Sequence, residues 1–324
     1  MLEVMMQNER PIMLGVVGDS AAGKTTLTQG ITEILGRDRV TYFCTDDYHR
    51  YDRKERAQIG ITALHPNCNY VDILDQHLRL LRAGEPILKP IYDHSDGTLR
   101  RPEYLVPRDF VISEGLLGFS TAAMRDSFDV KVYLDPPEEL RYRWKVKRDT
   151  AKRGYKPEQV LEELRKRESD SRDFIRPQRA YADVVVHFYP PEDTRAEQVN
   201  GHLNARLVLR PTIPHPDLTD VLAAPRRNPS TGRPAIRLEL GRDNGRPVDF
   251  LEIDGAVSAA EATEIEEVIW KHMPEAQHLR PEMIGKYLDG LEHRHSNPLG
   301  LTQLLIVYHM LRAAKTGLHR GGVR

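Results

Sequence analysis

The sequence predicts an α/β fold: a mostly parallel (mixed) central sheet flanked by helices, with an α+β extension at the C-terminal end. Three observations carry that expectation. An apolar run, Ile12-Met13-Leu14-Gly15-Val16-Val17, leads into Gly18-Asp19-Ser20-Ala21-Ala22-Gly23-Lys24-Thr25, and a helical pattern with Leu27, Ile31, Ile34 and Leu35 follows. Short β-rich runs then alternate with helical patterns as far as residue 188, as crossover helices of a parallel sheet require. Past Tyr189-Pro190-Pro191-Glu192-Asp193 the alternation gives way to a group of strands and then a group of helices. The chain of 324 residues therefore divides into a core with a lid, 1–192, and an extension, 193–324, expected to pack on the core and in subunit contacts.

Composition narrows the class. Hydrophobic residues make up 40% and charged residues 29%, the balance of a globular protein with a sizeable core. Lys and Arg total 47 against 48 Asp and Glu, which argues against nucleic acid or an anionic membrane as the main partner. No apolar run is long enough to span a bilayer, and the first residues lack a signal-like apolar stretch. With only Cys44 and Cys68, the expectation is a cytoplasmic protein with reduced thiols.

The glycine loop fits the pattern G-x-x-x-x-G-K-[ST], and its setting between strand and helix makes it a phosphate cradle. Gly18 and Gly23 let the backbone wrap phosphate oxygens, whose charge the helix N-terminus favours. Asp19, Ser20, Ala21, Ala22 and Thr26 complete the expected nucleotide contacts, Lys24 meets the outer phosphates, and Thr25 offers a hydroxyl to Mg²⁺.

The next strand, Arg39–Cys44, ends in Thr45-Asp46-Asp47-Tyr48-His49-Arg50, where ligands of open α/β sheets bind. Phosphoryl transfer to a hydroxyl needs a carboxylate to take its proton, and position alone leaves Asp46 and Asp47 as equal candidates. The polar segment 50–70 reads as a mobile excursion over the site, and a helix with Ile73, Leu74, Leu78 and Leu81 stops at Ala83-Gly84. Lys89-Pro90-Ile91-Tyr92-Asp93-His94 is an extended piece rich in hydroxyl and phosphate ligands, closed by a turn at Ser95-Asp96-Gly97. A third strand, Phe110–Ser113, ends in Glu114-Gly115, and Glu114 suits magnesium or its water. The fourth, Asp129–Leu134, stops at Asp135-Pro136-Pro137.

The helix Leu140–Arg153 carries Arg141, Arg143, Lys145, Lys147, Arg148, Lys152 and Arg153 against Asp149 alone. Arg141, Lys145, Arg148 and Lys152 form one stripe without the acidic i,i+4 partners of an ordinary solvated face, which favours a polyanion. Gly154 and Pro157 end this helix, and the Arg/Glu-rich helix 158–169 reads as a lid. A strand at 182–188 closes the first half. Strands at 206–210, 236–240 and 248–253 follow, with a loop at 211–234, and then helices at 259–273, 281–291 and 299–311.

These residues carry a resemblance. GDSAAGKTT, DDYHRYDR, ITALHP, KPIYDH, EGLLG and KVKRDTAKRG ahead of ADVVV are similar to the motifs of the phosphoribulokinase/uridine kinase family, in the family's order across residues 12–190. LTQLLIVYH, at 301–309, is similar to the tail of some bacterial members. The resemblance implies a P-loop kinase fold, ATP and Mg²⁺, a homo-oligomer (dimer or higher), and phosphorylation of D-ribulose 5-phosphate to ribulose 1,5-bisphosphate; a nucleoside or another pentose phosphate is the alternative acceptor. It makes Asp46 the base, with Lys24 and Glu114 beside it. It gives His49, Arg53, Tyr92 and His94 to the sugar site, and Lys145, Arg148 and Arg153 to sugar phosphate and nucleotide. The surplus of arginines favours an acceptor that already carries phosphate. Two positions depart from the pattern. Ala22 stands where thiol-regulated members carry a cysteine, so Cys44 lacks that partner, and Leu117-Gly118 stands where the family has His-Pro.

Overall fold

Strand β1 (Ile12–Gly18) is buried along its whole length, which is why it reads as a continuous apolar run. Its side chains still divide by face: Ile12, Leu14 and Val16 enter one core layer, Met13 and Val17 the other. The structure is a computed structural model that describes residues 10–191, 202–223, 232–279, 281, 284–289 and 292–320.

On either side of β1 lie β5 (Phe110–Gly115) and β6 (Val130–Leu134), both parallel to it; β2 (Val40–Cys44) pairs with β5 and β7 (Val184–Tyr189) with β6, again in parallel. The boundary at 192/193 falls within 192–201, outside the described residues, and the sheet continues beyond it. There β8 (Asn204–Leu209) runs antiparallel to β7. With β9 (Ile236–Asp243) and β10 (Arg246–Ile253), it completes an 8-stranded mixed sheet in the order β2-β5-β1-β6-β7-β8-β10-β9. A separate ribbon of β3 (Ile87–Asp93) and β4 (Thr98–Leu105) stands beside the carboxyl ends of β2 and β5.

Helix α1 (Lys24–Leu35) buries Leu27, Ile31, Ile34 and Leu35 against one face of the sheet, as the sequence period requires. The same layer takes α7 (Ala259–Lys271) and α8 (Asn297–Arg320). Residues 301–311 of α8 are buried on every side, so this helix is a core element rather than a one-sided face. On the opposite face α3 (Val71–Arg82) contributes Leu74, Leu78 and Leu81 beside Phe119 and Phe128.

Two segments differ from expectation. Within 50–70 the chain forms α2 (Arg53–Ile59), held at its start by a capping box: Asp52 accepts from Glu55 N, and Glu55 accepts from Asp52 N. The helix expected over 281–291 is instead, in its described part, β11 (Lys286–Asp289), paired with β12 (Glu292–His295). Gly285, at φ 79°, donates its N–H to Gln303 Oε1, which turns the chain into β11.

Gln303 also fixes where α8 meets α1. Its fully buried amide donates to Thr26 O (3.2 Å), and a β-carbon on Gly30 would lie 2.1 Å from its Nε2. Gly30→Ala should therefore lower stability by about 2–4 kcal/mol, through displacement of a hydrogen-bonded buried amide. In a Gln303→Ala background the same change becomes neutral or stabilising, because alanine is the better helix former once the clash is gone. Urea melts of the four proteins check this; a Gly30→Ala variant as stable as its parent would refute the contact.

Candidate active site

The phosphate loop closes on itself. Ala21 and Gly23 both adopt positive φ, 64° and 94°, which turns the loop into the N-terminus of α1. The Lys24 ammonium donates to Gly18 O (2.8 Å) and Asp19 O (2.9 Å), so it hangs across the mouth of the cradle. Asp19 accepts from Ser20 N (2.7 Å) and from the Ser171 hydroxyl, and pairs with Arg141 (3.3 Å). Arg141, expected to meet a polyanion ligand, is thus spent on the loop itself.

Thr45-Asp46-Asp47-Tyr48 forms a tight turn at the end of β2, and its two carboxylates have separate tasks. Asp47 accepts from Lys89 Nζ (2.6 Å) and Tyr92 N (3.1 Å), pinning the β3 ribbon to the turn. The Lys89 side chain is only 5% exposed, so this is a sheltered ion pair. No hydrogen bond or ion pair to a described residue engages the Asp46 carboxylate, which lines the central cavity.

Beyond Asp46 the ring systems gather. His49 and Tyr92 meet edge to face at 4.7 Å between centroids, and Tyr92 and His94 at 4.9 Å. Asn69 donates through Nδ2 to Ala63 O and His65 O, so its Oδ1 is an acceptor and His49 Nδ1 carries the proton facing it (2.7 Å). The remaining nitrogen, Nε2, is then an acceptor. Burial lowers the His49 pKa to about 4 despite Asp46 nearby, which keeps the ring neutral. Arg53 donates to His94 O (2.8 Å), and Arg56 donates to the Tyr92 hydroxyl (2.6 Å) while lying 4.9 Å over its ring. Each guanidinium carries five N–H donors, so both keep several for a ligand.

Glu114, at the end of β5, is buried and accepts only from hydroxyls: Thr25 (2.7 Å), Thr28 (3.1 Å) and Tyr42. Its carboxylate forms no ion pair with a described residue. Oxygen donors around an uncompensated buried charge, beside the loop's Thr25, fit a hard divalent cation such as Mg²⁺.

The basic helix α5 (Glu138–Arg153) runs past the loop. Lys145 Nζ donates to Asp149 (3.1 Å) and Ser20 Oγ (3.3 Å), and Arg148 donates to the other Asp149 oxygen (2.9 Å). Asp149 therefore holds two cations side by side. Burial, then repulsion from Arg167, lowers the Lys145 pKa to about 8. The side chain of Arg153 lies outside the described residues. Helix α6 (Pro157–Lys166) follows, and its outer turns face the same space.

One open cavity of about 1650 Å³ joins these parts, from Lys24, Thr25 and Thr26 through Asp46, His49, Arg53, Tyr92 and His94 to Glu114, Lys145 and Arg148. Arg56, Lys89, Asp149 and Arg167 escaped the sequence reading as site residues. The capping signal Asp52-x-x-Glu55 would have exposed the helix that carries Arg56, and the i,i+4 spacing of Lys145 and Asp149 their pairing. Nothing local signals the Lys89–Asp47 pair.

The model of the "Phosphoribulokinase / Uridine kinase family" matches residues 13–195. The chain belongs to that family. A phosphoribulokinase of Synechocystis sp. is 35% identical over 258 residues, covering 77% of this chain and 78% of the relative. A chloroplastic phosphoribulokinase of Mesembryanthemum crystallinum is 30% identical, covering 76% and 69%. A uridine kinase of Chloroflexus aurantiacus is 33% identical but covers only 54% of this chain. The solved phosphoribulokinase from Rhodobacter spheroides superposes with a TM-score of 0.57 at 16% identity, over 83% of this chain and 99% of that one, and so shares its fold.

At the two departures from the family pattern, the structure shows what occupies each place. Leu117 is buried with Leu64 and Ile175, so it packs where a histidine would be polar. Cys44 and Cys68 are both free, and burial raises both thiol pKa values, that of Cys44 strongly with help from Asp46 and Glu114.

Two outcomes follow. Activity should be the same after oxidised and reduced dithiothreitol; reversible inactivation that disappears in Cys68→Ser would show that the two thiols do meet. Lys145 holds its charge below about pH 8 and loses it above. If it serves an anionic substrate, kcat/KM should fall as pH rises through that region, and Lys145→Arg should flatten the limb because guanidinium stays charged. An unchanged limb in that variant would assign it to another group.

Proposed function

We propose that this chain transfers the γ-phosphoryl group of Mg-ATP to the O1 hydroxyl of D-ribulose 5-phosphate, giving ribulose 1,5-bisphosphate and ADP. The single observation that carries the reading is the division of labour at the Asp pair. Asp47 is held by Lys89 and Tyr92 N, and Asp46 faces the cavity unengaged, between the phosphate loop and the His49–Tyr92–His94 cluster. The phosphoribulokinase relatives match along most of the chain, which supports the acceptor's identity.

In this reading the loop amides and Lys24 hold the β- and γ-phosphates. Thr25 and Glu114 hold the cation, which when bound neutralises charge on those phosphates. The sugar lies on the other side. His49 Nε2 accepts from a hydroxyl, and Arg53 and Arg148 grip the 5-phosphate, with Arg56 and Lys145 beside them. Asp46 takes the proton from O1 as that oxygen attacks the γ-phosphorus, and the bond to the β,γ-bridging oxygen breaks with its electron pair on ADP. A neutral nucleoside would leave these cations without partners, and unpaired buried charge is costly.

Asp46→Asn is expected to keep ATP affinity and lose at least about 10²–10⁴-fold in kcat. Asp47→Asn should act mainly on the KM of the sugar phosphate, since it loosens the ribbon that carries Tyr92. ADP release measured with ribulose 5-phosphate, other pentose phosphates and uridine tests the acceptor. Faster turnover of uridine, or near-normal kcat in Asp46→Asn, would overturn the proposal.

A further inference from the structure

The cavity continues past the phosphate loop, and its walls change character there. On the Asp46 side they are cationic and rich in imidazole and hydroxyl groups. On the other side, behind Thr26, stand Arg143, Trp144, Phe188, Leu203, Tyr287 and Leu299. These residues come from α5, the end of β7, the approach to β8, β11 and the first turn of α8. Three of them, Trp144, Leu203 and Tyr287, are only partly buried where they pack on the main core, so each leaves apolar surface to the cavity. Lys147 of α5 pairs with Asp289 of β11, which fastens the hairpin to the basic helix beside Trp144.

Two details place this half of the cavity in relation to the loop. The indole Cζ3 of Trp144 lies 3.9 Å from where a β-carbon on Gly23 would stand, so the ring borders the last glycine before Lys24. Arg143 has a buried Nε with no hydrogen-bond partner, a donor waiting in the wall. Buried polar groups left unpaired in a protein are costly, and a cavity wall is where a ligand supplies the missing acceptor.

A nucleotide has the same polarity as this cavity: phosphates at one end, an aromatic base at the other. With its phosphates on the loop and its terminal phosphate toward Asp46, the nucleoside must leave on the Trp144 side. We propose that the pocket between Trp144 and Tyr287 is the base subsite for a purine nucleotide, with Arg143 donating to an acceptor on its ribose or base. The assignment rests on the kinase reading above. It adds that the nucleotide site is completed by β11 and α8, beyond the residues 13–195 that the family model matches. Aromatic rings suit the task because stacking on a base is strong and geometrically tolerant.

The chain holds two tryptophans, and the other, Trp270, is 3% exposed within the core. Full-length protein carrying Trp270→Phe therefore reports on Trp144 alone. Mg-ADP should change the emission of Trp144, and Mg-tripolyphosphate, which fills the loop without a base, should bind calorimetrically and leave the emission unchanged. Trp144→Ala and Tyr287→Ala should each weaken ADP by roughly 10–100-fold with tripolyphosphate affinity and the sugar-phosphate KM unaltered, and Trp144→Phe should restore most of the affinity. ADP binding with silent emission and unaffected variants would overturn the base subsite alone. Equal loss of ADP and tripolyphosphate in both alanine variants would overturn it too, as a defect of the loop. Wild-type protein that binds neither ligand would overturn this assignment together with the kinase reading.

Discussion

The strand register at the carboxyl edge of the sheet sets the geometry of everything else. In a parallel sheet neighbouring strands end on the same side, and here Cys44 of β2 and Val16 of β1 both stand level with Glu114 of β5. The phosphate loop, the Asp46 turn and the buried acid thus emerge side by side without any loop having to find its place. The Thr25–Glu114 hydrogen bond then couples the loop to the strand beside it. A one-residue slip would turn Glu114 to the opposite face and put an unpaired carboxylate into hydrocarbon.

Charge is managed by pairing cations with shared acids. Asp149 holds Lys145 and Arg148, Asp19 holds Arg141, and Asp47 holds Lys89. Each acid lowers the cost of gathering cations in one cavity, so the site can be strongly positive locally in a chain of net charge −1. Lys145 is where that compensation is least complete, since burial and Arg167 outweigh Asp149 there.

Sequence made the first half of the fold legible because its signals are local and redundant. An apolar strand, a glycine loop and an amphipathic helix, or a strand that ends on Glu114, depend only on neighbouring residues. The same signals separated the basic helix from an ordinary surface, although they could not tell Arg141, which secures the loop, from Lys145 and Arg148, which face the cavity. The choice between Asp46 and Asp47 lay beyond them, because Lys89 reaches Asp47 across 42 positions. Short apolar runs are ambiguous in period, and 281–291 read as a helix when Asp289-Gly290 signalled a hairpin. The wall around Trp144 was hidden for the same reason as Lys89: its parts meet only in the folded chain.

The Gln303 contact also has a bearing on the order of events during synthesis. Gln303 and Thr26 are 277 positions apart, and α8 buries a large apolar face against the helix that carries the phosphate loop. Chain ends leave the ribosome in sequence, so α1 emerges long before the element that covers it. Until residues near 303 appear, Ile31 and Leu35 have no lid on that side, and the nascent sheet is a sticky intermediate. A contact of such long range makes ligand-binding competence a late property of this chain, acquired only after translation has passed its last long helix.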